Sequence, residues 1–224
     1  MEPRVNVVLA ETDDILHFTV AQLARLQAVS PRLRLTCVPQ DREAVRAALA
    51  EAEVYYGFWA GFEPAWAPRL RWIQLYTAGI DKLLDSPLLR AGVTVTTTSG
   101  IHGQPMAEFV FGLIFSITRK LPLIFRLQAE HSWPRDVRRR TFGTEARGKT
   151  LGIVGYGRIG AEIGRAGRCF GMRVLGLKRR LSSGEEAGDG VAERLYPPAG
   201  LAELLAQSDF VVVTAPLTPQ TRHM

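Results

Sequence analysis

The sequence has few cysteines, few lysines, few histidines and no long hydrophobic run. Its two cysteines, Cys37 and Cys169, lie far apart and form no C-x-x-C pair. That excludes a disulfide scaffold and a cysteine-based zinc site, and it sets the expectation of two reduced thiols in a cytoplasmic protein with no bound metal. The most apolar stretch, Phe109 to Ile117, is far shorter than the roughly 20 residues a bilayer-spanning helix needs, so no membrane association is expected. Val5 to Leu9 soon meets Asp13 and Asp14, which suits a first strand and not a signal peptide. Charged residues make up only 22% against 46% apolar, which rules out disorder, collagen and coiled coil.

The 224 residues are enough for about one and a half domains and for burial of about 70% of the unfolded surface. The net charge is +6, carried almost wholly by arginine, since only four of the 28 basic residues are lysine. This balance permits an anionic partner and chooses none.

The first hundred residues alternate short apolar runs with helical patterns. Strands are expected at Val5–Leu9, Leu33–Val38, Val54–Phe58, Trp72–Tyr76 and Val93–Thr97. Between them, Ile15–Val29, Arg42–Ala52 and Ile80–Arg90 read as helices, the second capped by Asp41. Leu16, Val20, Leu23, Ala24 and Leu26 form the expected inward face of the first helix. Such alternation implies a parallel sheet covered on both faces, a flavodoxin-like domain over residues 1–99. The turn Thr77-Ala78-Gly79-Ile80-Asp81 follows the fourth strand, at the edge where such sheets bind ligands. Two readings stay open there: a carboxylate-binding loop aided by the next helix, or an ordinary strand-to-helix turn.

Residues 100–149 read as a linking segment. Gln104–Leu121 is apolar almost all round, as expected of a buried helix or one packed against a second copy of the chain. Glu108 within it reads as a paired or rim-facing charge sooner than as a functional carboxylate. Arg135, Arg138, Arg139 and Arg140 follow Trp133 and Pro134. A solvated loop or an arm on a partner subunit fits that run better than nucleic acid, because no nucleic-acid module surrounds it.

Residues 150–224 read as part of a Rossmann domain. The apolar strand Thr150–Val154 runs straight into Gly155-Tyr156-Gly157-Arg158-Ile159-Gly160, a helix over Ala161–Phe170 and a strand over Met172–Leu177. This is G-x-G-x-x-G in its strand–turn–helix–strand setting, the fingerprint of a dinucleotide diphosphate site. An NAD site usually places an acid at the end of the second strand; here Lys178, Arg179 and Arg180 follow, with no acid before Glu185. Arginine can bind a 2′-phosphate bidentately, so NADP(H) is the preferred cofactor and NAD(H) the alternative. Leu201–Ala206 and Phe210–Thr214 read as a helix and a third strand, and Ala215, Pro216 and the turn through Thr221 as a loop over the adenine side.

With these pieces in place, the chain resembles the D-isomer-specific 2-hydroxyacid dehydrogenases, especially the glyoxylate/hydroxypyruvate reductase-like members. The matching stretches are Thr77–Asp81, Ser99–Gly103, the helix opening Met106-Ala107-Glu108, Gly148–Gly155 and Ala215–Pro219, in the family's order. The resemblance implies hydride transfer between a nicotinamide and a small 2-oxo or 2-hydroxy acid. It also implies a homodimer through the helix 104–121, substrate contacts at Thr77, Ala78, Gly79, Ile80 and His102, and a cofactor contact at Met106. The family's catalytic Arg, Glu and His lie beyond the Pro-Leu-Thr-Pro loop, and no residue of this sequence matches them; His17, His131 and His223 are out of place for the role. The expectation is therefore a C-terminally shortened chain, inactive or impaired, or else a nucleotide-binding or subunit-pairing remnant. With only three Rossmann strands counted, Leu151–Val154 is expected to become an exposed apolar edge.

Overall fold

A computed structural model describes residues 4–12, 16–58, 61–80, 83, 86–182 and 188–224. The chain divides into two compact units, Met1–Ser99 and Gly100–Met224.

The first unit is a five-stranded, all-parallel sheet. Strands β1 (Val5–Glu11), β2 (Leu33–Pro39), β3 (Val54–Gly57), β4 (Trp72–Leu75) and β5 (Thr94–Thr97) lie in the order β2-β1-β3-β4-β5. This is the flavodoxin-like order, with its switch point between β1 and β3. The core gathers the inward residues of the strands, Val8, Ala10, Tyr55, Ile73 and Leu75, against Val45 and Leu49 of helix α2 (Arg42–Leu49). Asp41 starts α2 by accepting the amides of Glu43 and Ala44 at 3.0 and 2.9 Å, which satisfies two donors that a helix start leaves open.

Two helices depart from the sequence pattern. Helix α1 is only Val20–Gln27 and buries no residue; Val20 is 85% exposed. Thr19 and Gln22 form a capping box that sets the start at Val20, while Leu16 is buried beside the Thr12–Leu16 bridge instead of on a helix face. Helix α3 is Pro87–Arg90, opened by the Ser86 cap and Pro87. Of the stretch expected to be helical from Ile80, Leu83 is in a 3-10 turn, its amide donating to the Ile80 carbonyl at 2.8 Å; Asp81, Lys82, Leu84 and Asp85 lie outside the described residues, as do Asp13, Asp14 and Ile15.

The second unit opens with α4 (Gly103–Thr118), α5 (Leu121–Ala129) and α6 (Val137–Thr141). Helix α4 follows the expected Gln104–Leu121 pattern as far as Thr118 and stops before Lys120, which takes a left-handed φ of 53°. A second parallel sheet follows: β6 (Thr150–Val154), β7 (Arg173–Leu177), β8 (Arg194–Tyr196) and β9 (Phe210–Val213), with α7 (Arg158–Cys169) after β6 and α8 (Leu201–Gln207) before β9. Its order is β8-β7-β6-β9, the 3-2-1-4 arrangement of a Rossmann sheet.

This corrects the expected strand count and the expected edge. Arg194–Tyr196 is a strand that three residues of sequence cannot signal by periodicity, and Phe210–Val213 is the fourth strand, across the switch point. Strand β6 pairs with β7 on one side and β9 on the other, and all five of its residues are buried. The exposed apolar side chains sit on β9, at Val211 and Val213.

Helix α7 turns a glycine face to the sheet: a Cβ at Gly164 or Gly167 would stand 3.3 Å from Val174 or 3.1 Å from Leu151. On its other flank α4 packs along α7, contributing Ala107, Val110, Phe111 and Ile114 to a core with Ile163. The opposite side of α4 is apolar and exposed: Phe109, Leu113 and Ile117 are at least half accessible.

Candidate dinucleotide site

The site is built on the turn between β6 and α7. Gly155 takes φ +96°, and the amides of Gly155 and Tyr156 both donate to the Leu177 carbonyl, at 3.0 and 2.7 Å. Only glycine enters that backbone region without strain. The turn abuts the loop after β9: the Thr214 amide donates to the Val154 carbonyl at 2.8 Å, and its hydroxyl to the Gly155 carbonyl at 2.8 Å. Gly155 and Ala215 therefore meet at the switch point between β6 and β9, where open α/β sheets bind ligands. Gly160 lets α7 close on the turn, since a Cβ there would stand 3.0 Å from the Gly155 carbonyl and from Ile153.

The residues present fit a dinucleotide. Helix α7 starts at Gly157 with no side-chain cap and no acidic residue in its first turn. Its N-terminal turn thus brings partial positive charge to where an anion would sit. A Cβ at Gly157 would find only the Gly155 carbonyl, 3.9 Å away, so that face of the turn is open to a diphosphate.

Beside the turn lies a cleft of about 530 Å³ lined by Tyr156, Gly157, Arg158, Arg165, Lys178 and Asp189 among others. Lys178 comes just after β7, its amide bound to the Tyr196 carbonyl at 2.9 Å, and Arg179 and Arg180 follow, both exposed. Arg165 pairs with Glu162. The Tyr156 ring lies over Gly176, where a Cβ would come within 2.7 Å of it. Its hydroxyl donates to Asp189 at 3.1 Å, and burial, then that carboxylate's charge, push its pKa well up. Asp189 and Thr214 are site residues that the sequence does not announce. Gly188-Asp189-Gly190 reads as a turn, with no sign of where the turn points.

The remaining expected residues are placed as follows. Ile159 is half-buried in the first turn of α7. Ala215 and Pro216 open the loop past the switch point, and Thr221 closes it, its hydroxyl donating to the Pro216 carbonyl at 2.6 Å. Met106 is on the exposed side of α4, 38% accessible, and does not line the cleft. His102 precedes α4 and is half-buried. Thr77 and Ala78 are half-buried after β4, with the Thr77 hydroxyl donating to the Gly79 carbonyl at 3.0 Å; Gly79 and Ile80 are exposed. These four belong to the first unit and His102 to the second. Behind this loop the Leu83 amide donates to the Ile80 carbonyl at 2.8 Å, while Asp81 and Lys82 lie outside the described residues. Glu108 is exposed and accepts from Gln104 at 2.9 Å.

Fold and glycine turn together define a dinucleotide-binding α/β protein. The family model for the D-isomer specific 2-hydroxyacid dehydrogenase, NAD binding domain, matches residues 111–224. The chain belongs to the D-isomer specific 2-hydroxyacid dehydrogenase family. It is similar to a glyoxylate reductase of Aeropyrum pernix, 35% identical over 167 residues, which cover 70% of this chain and 47% of that protein. The matched stretch is about half the length of that relative. A solved D-isomer specific 2-hydroxyacid dehydrogenase family protein from Aeromonas salmonicida superposes with a TM-score of 0.74 at 30% identity, covering 96% of this chain and 66% of the other. A glyoxylate reductase structure from Paecilomyes thermophila shares the fold, with a TM-score of 0.78 at 24% identity, over 100% of this chain and 68% of that one. Among the described residues, no helix is long and apolar enough to cross a membrane, and no cluster of His, Cys, Asp and Glu could hold a metal ion.

Proposed function

We propose that the chain serves an oxidoreductase that interconverts small 2-oxo acids, such as glyoxylate or hydroxypyruvate, with their D-2-hydroxy acids. A bound nicotinamide dinucleotide would supply the hydride chemistry. The observation that carries this reading is the uncapped α7 start above an open glycine turn at the β6/β9 switch point. In it, the first turn of α7 faces the diphosphate, and Lys178, Arg179 and Arg180 favour NADP(H) over NAD(H) through the 2′-phosphate. Ala215, Pro216 and Thr221 border the adenine, and Met106 touches the cofactor from α4. Thr77, Ala78, Gly79, Ile80 and His102 contact the substrate acid. The exposed Phe109, Leu113 and Ile117 of α4 pair two copies of the chain. The two free thiols suit a reducing compartment such as the cytoplasm.

The test is equilibrium binding of 2′,5′-ADP and 5′-AMP, which differ only in the 2′-phosphate. Tighter binding of 2′,5′-ADP, lost when Lys178, Arg179 and Arg180 are replaced by alanine, is expected. Equal affinities would remove the NADP(H) preference. Ordinary reduction of glyoxylate by the isolated 224-residue chain with NADPH would show that the acid–base group lies within it.

A further inference from the structure

The cleft beside the glycine turn contains a carboxylate that sequence order hides. Asp189 comes well after Lys178–Arg180 in the chain, yet it lines the same cleft as Gly157, Arg158 and Lys178. Its place is fixed from several directions. Oδ1 accepts the amides of Val191 and Ala192 at 3.0 and 2.8 Å, and Oδ2 accepts the Tyr156 hydroxyl at 3.1 Å. Gly188 and Gly190, with φ of +93° and +83°, shape the turn that presents it. Tyr156 is itself the second residue of the glycine turn, so the carboxylate is tied to the segment that faces the diphosphate. Burial acts to raise its pKa, but the Ala192 and Val191 amides and the Tyr156 hydroxyl outweigh that and hold it below the ordinary carboxylate value. Asp189 is therefore anionic at neutral pH. Among the described residues, the other acid on this cleft, Glu162, is already paired with Arg165.

We propose that Asp189 is a specificity-determining residue of the dinucleotide site, a fixed negative charge that opposes a 2′-phosphate near Lys178 and keeps the unphosphorylated cofactor competitive. This rests on the dinucleotide reading above. An acid at the end of the second strand is the usual device that excludes a 2′-phosphate. Here Lys178-Arg179-Arg180 follow that strand, and the acid reaches the cleft from the β7–β8 connection instead. The two charge signs then act against each other on one cofactor group. Repulsion across a solvated cleft is worth roughly three- to tenfold in affinity and is screened by salt.

The experiment is titration calorimetry of 2′,5′-ADP and of 5′-AMP against the full chain, Asp189→Asn and Tyr156→Phe. Asparagine keeps an oxygen that can accept the Val191 and Ala192 amides, so the turn is retained while the charge is lost. Phenylalanine removes the hydroxyl and leaves the charge. Asp189→Asn is expected to raise the affinity ratio of 2′,5′-ADP to 5′-AMP roughly three- to tenfold at low salt, with the gain shrinking at about 0.5 M salt. Tyr156→Phe should leave the ratio within about twofold, because the charge remains. An unchanged ratio in Asp189→Asn overturns the proposal. Equal shifts in both variants also overturn it, since they trace the effect to loop position and not to charge. Failure of the unsubstituted chain to bind either nucleotide would instead sink the dinucleotide reading itself.

Discussion

Two glycines of one turn make opposite demands on an added methyl group. At Gly155 the backbone has φ +96°, and a Cβ would collide with the Ala215 amide nitrogen and stand 2.6 Å from its Cα. Holding alanine in the left-handed region costs about 1–2 kcal/mol. Overpacking against backbone that cannot rotate away adds about 1–3 kcal/mol. Gly155→Ala should therefore destabilise the second unit by about 2–5 kcal/mol, which lowers Tm by roughly 5–15 °C for a chain of this size. At Gly157 the backbone is extended, with φ −106° and ψ −154°, and a Cβ would meet only one atom, at 3.9 Å. Gly157→Ala should cost under about 0.5 kcal/mol of stability. Its methyl group instead stands where the diphosphate approaches the backbone, so ADP affinity should fall about tenfold or more. Thermal unfolding followed by circular dichroism, paired with calorimetric titration of ADP, reads both quantities. A Gly157→Ala chain that melts as early as Gly155→Ala, or that binds ADP as the unsubstituted chain does, would refute the assignment of separate structural and binding roles.

Three further outcomes follow from the geometry. Ile73 is fully buried in the first sheet, so Ile73→Ala should cost about 2–5 kcal/mol in urea unfolding; a loss under 1 kcal/mol would mean that the core there is not packed as described. Asp209 accepts the Thr150 amide at 2.8 Å and lies 3.2 Å from Lys149 Nζ, and the amide first, then the lysine, hold its pKa below the usual value. Its stabilisation is present above the unfolded-state value of about 4 and is lost as pH falls through the folded one; the fall in Tm on acidification should be shallower in Asp209→Asn, and an identical slope would exclude the role. Leu113→Glu, on the exposed side of α4, should weaken self-association in analytical ultracentrifugation with little change in Tm, whereas an undiminished dimer would clear that face of the role.

The first sheet is legible because each strand is a short apolar run, and α2 carries its own start signal. Asp41 before Arg42 and the inward Val45 and Leu49 are local features, and the structure keeps them. The failures are equally physical. The apolar spacing of Val20, Leu23 and Leu26 satisfies a helix template, but periodicity states only that a face exists, not that the described residues cover it; α1 buries nothing. The pattern over Gln104–Leu121 overshoots the helix end by three residues because Lys120, a good helix former, sits in the left-handed position that ends it.

The second sheet shows where local reading must stop. Strand β8 is three residues, Arg194-Leu195-Tyr196, next to Pro197 and Pro198, and it offers no alternation to count. Missing it shifts every later strand by one place, and a central strand then looks like an edge. The uniform apolar character of Leu151 to Val154 argues against that conclusion, because a strand written for burial on both faces needs neighbours on both sides. Pairing with β9 supplies the second neighbour and brings Thr214 and Ala215 against Gly155, which creates the crevice itself. Asp189 reaches its cleft by the same kind of non-local step. Its hydrogen bonds to Val191 and Ala192 are readable as a turn, but the one to Tyr156 exists only because β7 and β8 carry both ends of that turn past the glycine loop. The place of Asp189 in the cleft therefore depends on strand order, whereas the residues just after β7 are Lys178, Arg179 and Arg180.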